Sequence, residues 1–194
     1  MENDNGPAAH LIWKETGRQE VYRCKVLSIR DTTCLSPEGE TAVFSVIDAP
    51  DWAIVIPVIE TEGGREFVMV RQWRHGSQEL SLEFPGGGFE PGENALEAAA
   101  RELQEETAYA PGKIRKIGEF SPNPALMSNR VHFFLAEDLK PLESQDLDKD
   151  EFVDVELVSA AEVFQGLGRP PYMHALMASA YTLYLQATGH RIGS

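Results

Sequence analysis

Residues Gly87–Tyr109 read GGFEPGENALEAAARELQEETAY, and this stretch decides how the rest of the chain is read. Asn94 is a good helix cap, and Glu97, at the third helical position, completes a capping-box pair. Leu96, Ala99, Ala100 and Leu103 recur at helical spacing and predict one apolar face. On that helix Glu102 and Glu106 stand one turn apart with Glu105 beside them, next to the apolar face rather than opposite it. Carboxylates so placed sit partly against the protein body, where their mutual repulsion is poorly screened. Something cationic must hold them. Arg101, four residues before Glu105, suits one carboxylate; hard oxygen ligands suit Mg2+ or Mn2+ for the remainder.

A solvated helix rich in Glu and Arg is the commoner reading of any such segment. The combination argues otherwise. Gly87, Glu93, Arg101, Glu102, Glu105 and Glu106 stand in the pattern G-x5-E-x7-R-E-U-x-E-E, where U is bulky and apolar. At residue frequencies near 7%, six fixed positions match by chance about once in 10⁷ starts, so roughly 10⁻⁵ for this chain.

Outward from the helix, the runs Ala53–Ile59 and Phe67–Trp73 read as strands covered on both faces, joined by a hairpin at Gly63-Gly64. Further strands are predicted at Lys113–Phe120, Val131–Ala136 and Phe152–Leu157, and helices at Ser159–Phe164 and Pro171–Ala187. Ahead of them, Val21–Ile29 and Thr41–Ile47 read as strands around the turn at Ser36–Gly39. The chain therefore divides into a flexible tail (1–10), a β-rich N-terminal subdomain (11–50) and a main domain (51–194), with Asp48-Ala-Pro-Asp51 as the boundary.

Composition narrows the function. The 194 residues are 42% hydrophobic and 25% charged, which is ordinary globular usage and excludes wholesale disorder. Seventeen Lys and Arg against 31 Asp and Glu give a net charge of −14, so the chain has no diffuse attraction for nucleic acid or anionic lipid. An anionic substrate would need local arginines or bound cations. Cys24 and Cys34 are read as reduced thiols. The polar N-terminus lacks a signal peptide's pattern and no run is long enough to span a bilayer, so a cytoplasmic protein is expected.

The pattern at Gly87–Glu106 resembles the signature box of the Nudix hydrolases, which cleave a nucleoside diphosphate linked to another moiety. The resemblance implies an α/β fold, a Nudix-type α/β/α sandwich on a mixed sheet, with the small β-rich N-terminal subdomain beside it. It further implies that Glu102, Glu105 and Glu106 bind Mg2+ (or Mn2+) with the Gly86 carbonyl, and that Arg101 and Glu93, with Gly87, orient the carboxylates. Such cations would polarise the pyrophosphate and lower the pKa of a bound water. One departure is plain: Ala108 stands where the family has glycine, at a cost of roughly 1 kcal/mol if the position needs a positive φ.

Outside the box, Val70-Arg-Gln-Trp-Arg74 followed by Leu82-Glu-Phe-Pro-Gly86 is similar to the ADP-ribose pyrophosphatase and nucleoside-diphosphate-sugar branch. There Arg74 and Arg71 would contact phosphate, and Glu83 would hold water or ribose or pair with Arg74. Pro124, sixteen residues beyond Ala108, matches a proline associated with ADP-ribose hydrolases. The branch often exchanges its N-terminal segment within a homodimer and supplies aromatics to the base pocket, which makes Trp13 and Phe44 candidates. The catalytic base commonly comes from an acidic loop; Glu151, at the end of Asp146–Glu151, occupies that place, ahead of Asp150, Asp148 or a box glutamate. None of the five histidines has metal-ligand spacing, and structural roles are expected for them. The expected activity is metal-dependent cleavage of a small-molecule nucleoside diphosphate sugar into a nucleoside monophosphate and a sugar phosphate. The alternatives are dinucleoside polyphosphates, NADH or capped nucleotides as substrates, or a Nudix protein that binds a nucleotide sugar without cleaving it.

Overall fold

Alternate residues of β4 (Trp52–Thr61) go to opposite sides of one sheet, and both sides are covered. This computed structural model describes residues 8–189; most of the expected tail, and His190, lie outside them. The chain falls into two compact units, one running up to Pro50 and including Ser121–Asn129, the other comprising Asp51–Phe120 and the chain from Arg130 onward.

In the first unit β1 (Lys14–Arg23), β2 (Ser28–Leu35) and β3 (Thr41–Asp48) form an antiparallel meander. The strand expected over Val21–Ile29 does not exist as one piece. Cys24–Leu27 reverses the chain, with the Cys24 N–H donating to the Leu27 carbonyl at 2.9 Å. The expectation fails because β1 is almost wholly exposed and polar, so pairing is set by backbone hydrogen bonds and leaves no apolar alternation to read. Cys24 and Cys34 are both free thiols. Residues 121–129 join this unit through Ile47, whose N–H donates to the Leu126 carbonyl at 2.7 Å and whose carbonyl accepts from the Ser128 N–H at 3.1 Å.

The second unit is built on a seven-stranded mixed sheet. Its elements are β4, β5 (Gly64–Arg74), β6 (Glu79–Glu83), β7 (Gly86–Gly88), α1 (Ala95–Thr107), β8 (Tyr109–Ala110), β9 (Lys113–Phe120), β10 (Val131–Glu137), β11 (Lys140–Pro141), β12 (Val153–Ser159), α2 (Ala160–Gly166) and α3 (Ala175–Thr188). The main order is β12-β5-β4-β10-β9, parallel only between β4 and β10. Ala53, Val55, Phe134 and Ala136 face Ala98, Ala99 and Leu103 of α1. On the other side Ile56, Phe67, Val131, Phe133 and Leu135 pack against α2 and α3 through Val163, Met177, Ala180 and Tyr184. This is the α/β/α sandwich, and burial on both faces explains the unbroken apolar runs.

β4 and β5 pair only at one end, Val58–Thr61 with Gly64–Phe67. Beyond that they diverge, and β7 takes the vacated edge of β4 while β6 takes that of β5. The split brings the glycine loop into the middle of the sheet.

The helices differ from expectation in two places. α3 begins at Ala175 rather than at Pro171, because Gly168–Pro171 form turns ahead of it. In α1 the buried stripe is Ala98, Ala99, Glu102, Leu103, Glu106 and Thr107, while Leu96 is 46% exposed. Two glutamates occupy part of the stripe and turn the helix away from the face that apolarity alone indicates. The Asn94–Glu97 capping box is present, with Asn94 Oδ1 accepting from the Leu96 and Glu97 N–H groups.

Ala108 ends α1 in the left-handed conformation, φ 57° and ψ 35°, its N–H donating to the Gln104 carbonyl. Alanine there carries a Cβ strain of roughly 1–2 kcal/mol, offset in a glycine variant by the greater freedom of the unfolded chain. Ala108→Gly should therefore raise the thermal unfolding midpoint by the equivalent of up to about 1 kcal/mol. A lower midpoint would contradict the assigned helix cap.

Candidate active site

Gly86 and Gly87 lie between β4 and the acidic face of α1, and neither has room for a side chain. A Cβ on Gly86 would come within 2.2 Å of the Ala53 carbonyl, and one on Gly87 within 2.4 Å of Glu102 Oε1. The close approach lets the Gly86 N–H donate to Glu106 Oε2 at 2.8 Å. The small residues Ala98 and Ala99 sit on the same side of the helix and allow it to lie close to β4.

Arg101 is the hub of the carboxylate cluster. Its guanidinium donates to Glu93 Oε1 and Oε2 at 2.9 and 3.0 Å, to Glu102 Oε1 at 2.9 Å and to Glu105 Oε2 at 2.9 Å. It also donates to the Gly88 carbonyl at 3.1 Å, which ties the helix to the loop. Glu102 and Glu106 are nonetheless 8% and 5% exposed. Burial pushes the Glu102 carboxyl up to about 7, against the pull of Arg101, with the charges of Glu105 and Glu151 adding to the push. Burial and then the charge of Glu102 push Glu106 up to about 8, opposed by the Gly86 N–H. One guanidinium is shared among three carboxylates, and among the described residues Glu106 accepts from no guanidinium, feeling only the more distant charge of Arg74.

That electrostatic deficit is the test of whether a cation fits. Among the described residues no three acidic, histidine or cysteine side chains are gathered on one point. Glu102 and Glu105 turn onto Arg101, and Glu106 turns onto Gly86. The donor set is nevertheless all hard oxygen, crowded and short of positive charge, which fits Mg2+ or Mn2+.

A cavity of ≈ 690 Å³ opens where β4 and β5 diverge, and Gly86 and Gly87 line it. Its polar wall is a three-residue network. Arg74 Nε and Nη2 donate to the two carboxylate oxygens of Glu83 at 2.9 and 2.7 Å, and His174 Nδ1 lies 2.6 Å from Glu83 Oε2. Burial opposes the charge on Glu83, which is 2% exposed, yet the bonds to Arg74 and His174 hold its carboxyl well below the usual range. Trp52, Trp73, Phe84 and Met173 supply the apolar walls.

The structure brings Arg74 and Glu83 to this cavity but not Arg71, whose guanidinium forms a two-pronged pair with Glu156 on β12. Trp13 and Phe44 pack edge to face in the N-terminal unit, with ring centres 5.2 Å apart, and Pro124 is exposed in the same unit. Glu151 closes a turn with Asp148: its carboxylate accepts from the Asp148 N–H at 3.1 Å. The segment before it is anchored to the end of α1. The Leu142 and Asp146 N–H groups donate to the carbonyls of Ala108 and Glu105, and Gln145 Nε2 donates to those of Glu106 and Val153. The bonds to Glu105, Glu106 and Ala108 satisfy orphan carbonyls of the helix C-terminus, and the one to Val153 ties the segment to β12. His174, for which the sequence suggests a structural role, lines the cavity, and Gln145 carries no sequence signal; neither stands at a recurring spacing from the box.

Comparison with known proteins agrees with this geometry. The NUDIX domain profile matches residues 50–180. The chain is 34% identical over 143 residues to the ADP-ribose pyrophosphatase of Bacillus subtilis (strain 168), covering 73% of this chain and 76% of that protein. It is 28% identical over 148 residues to the methanol dehydrogenase activator of Bacillus methanolicus, covering 76% and 78%. A crystal structure of an ADP compounds hydrolase shares the fold with a TM-score of 0.79 at 22% identity, covering 92% of this chain and 97% of that one. The chain belongs to the NUDIX hydrolase family, in its ADP-ribose and nucleotide-sugar pyrophosphatase-like branch. Among the described residues no helix is long and apolar enough to cross a membrane.

Gly87→Ala should displace the Glu102 carboxylate while leaving the fold intact, because the atoms met are the end of a side chain. A displacement of this kind commonly costs about 10² in rate. Loss of turnover with a nearly unchanged melting midpoint is the expected result; wild-type turnover would remove Glu102 from the site.

Proposed function

We propose that this chain hydrolyses the pyrophosphate bond of ADP-ribose or a related nucleoside diphosphate sugar, yielding a nucleoside monophosphate and a sugar phosphate. One observation carries the reading: Gly86 and Gly87 both back the carboxylates of Glu102 and Glu106 and line the cavity that holds Arg74. A diphosphate lying across these glycines would meet the acidic cluster on one side and positive donors on the other.

In this reading Glu102, Glu105 and Glu106, with the Gly86 carbonyl, would hold Mg2+. When bound, the ion neutralises charge developing on the diphosphate and polarises it toward attack. Arg101 and Glu93 keep the carboxylates oriented, each restraining the other by a pair of hydrogen bonds. Arg74, fixed by Glu83, donates to a phosphoryl oxygen. Water attacks phosphorus, Glu151 takes its proton, and the bridging oxygen leaves with the sugar phosphate. Glu151 lies near enough for its charge to raise the Glu102 and Glu106 carboxyls, which is the proximity that a base at this site requires. Its loop is anchored through Gln145 and Asp146 and has only to move residues 147–152.

A magnesium-supplemented screen of nucleotide sugars with products identified by mass tests the substrate. Cleavage of ADP-ribose or a nucleotide sugar into two monophosphates is expected; preference for dinucleoside polyphosphates, NADH or capped nucleotides, or binding without turnover, would overturn the reading. Glu151→Gln should lower kcat by about 10²–10⁴ with little change in KM. If it keeps more than about a tenth of wild-type kcat while Glu105→Gln does not, the base lies on α1.

A further inference from the structure

His174 occupies the N-cap of α3, where Ser, Asp or Asn would satisfy a free helix N–H, and its side chain makes no capping bond. The ring is directed elsewhere. Nδ1 meets Glu83 Oε2 at 2.6 Å, and since Glu83 is an ionised carboxylate with no hydrogen to give, Nδ1 is the donor. The other ring nitrogen, Nε2, has no partner among the described residues, is not sealed from solvent, and belongs to a residue that lines the cavity. Glu83 is itself held by two bonds from Arg74, so the ring is anchored at one edge and offers the other to a ligand.

We infer that His174 is a specificity-determining residue whose Nε2 hydrogen-bonds a sugar hydroxyl of the substrate, an inference that rests on the proposed nucleotide-sugar activity. With Nδ1 committed as a donor, Nε2 accepts in the neutral ring and donates in the charged one. A hydroxyl both donates and accepts, so it satisfies Nε2 in either state, whereas a phosphoryl oxygen satisfies only one. The surroundings suit a sugar ring: Trp52, Trp73 and Met173 give flat or flexible apolar walls, and one fixed polar group between them sets orientation. Arg74 beside it serves the adjoining phosphate. The residue lies 91 positions from Glu83 in the chain, and the contact exists only because the α3 N-terminus packs beside β6.

The sugar hydroxyl has two sources, the nucleoside's ribose and the sugar beyond the diphosphate. The test uses the full chain with magnesium and two substrates, ADP-ribose and the methyl ester of ADP, which lacks the second sugar. His174→Asn removes Nε2 and gives α3 a favourable cap, which offsets the Nδ1 bond to Glu83 that is lost with the ring, so its melting midpoint should stay close to that of the wild type. KM for ADP-ribose should rise about tenfold, the usual weight of one hydrogen bond, with kcat within about threefold of wild type. His174→Gln, whose amide reaches the Nε2 position, should recover most of the loss. A KM shift absent with the methyl ester assigns the contact to the distal sugar; one that persists assigns it to the nucleoside ribose. A KM for His174→Asn within about twofold of wild type, or equal losses in both variants, would overturn the inference. A wild-type chain that cleaves neither substrate nor any other nucleotide sugar would overturn the proposed activity itself, and with it this inference.

Discussion

Two carboxylates buried one turn apart on α1 are the constraint to which the rest of the structure answers. Leaving Glu102 and Glu106 charged and dry is costly, and burial raises both carboxyls far above their ordinary range. The surrounding residues are arranged around that cost. Ala98 and Ala99 let the helix approach β4, the two glycines leave space for the carboxylates, and the Gly86 N–H and Arg101 return part of the lost solvation. A stripe of leucines in those positions would give a more stable helix–sheet contact and no site.

The second device is the divergence of β4 and β5. Because they pair over only four residues, the chain between them can pass through the sheet, carrying Glu83 and Gly86 to the same opening. The opening joins a negatively charged face, suited to cations, to a pair of anchored donors, suited to phosphate and sugar. This juxtaposition also answers how a chain of net charge −14 receives an anion: the attraction is local and leaves the overall field unchanged.

Much of this is legible in the sequence where the chemistry is local. The capping box, the Arg101–Glu105 pair and the clustered glutamates all lie within one helix, and helical spacing reports them directly. Arg74 and Glu83 are nine residues apart in one hairpin and are likewise readable. What is not legible depends on long-range packing. His174 meets Glu83 only after the chain has completed the sheet. Arg71 reads as a second phosphate contact behind Arg74, but side chains alternate along β5, and Arg71 finds Glu156 on the neighbouring β12 instead. Leu96 misleads because buried glutamates displace the apolar face, an arrangement that makes sense only with the site present. The polar strands β1 and β2 carry too little apolar alternation to mark where one ends and the next begins.

The central claim, that the α1 carboxylates are held in self-repulsion until a cation joins them, is tested most directly by thermal unfolding of the wild type and Glu106→Gln in chelator and in magnesium. Glutamine keeps the acceptor for the Gly86 N–H and removes one buried charge. The account predicts that Glu106→Gln melts at or above the wild type in chelator, and that magnesium raises the wild-type midpoint while leaving the variant nearly unmoved. A variant that melts below the wild type in chelator, with magnesium raising both alike, would contradict it.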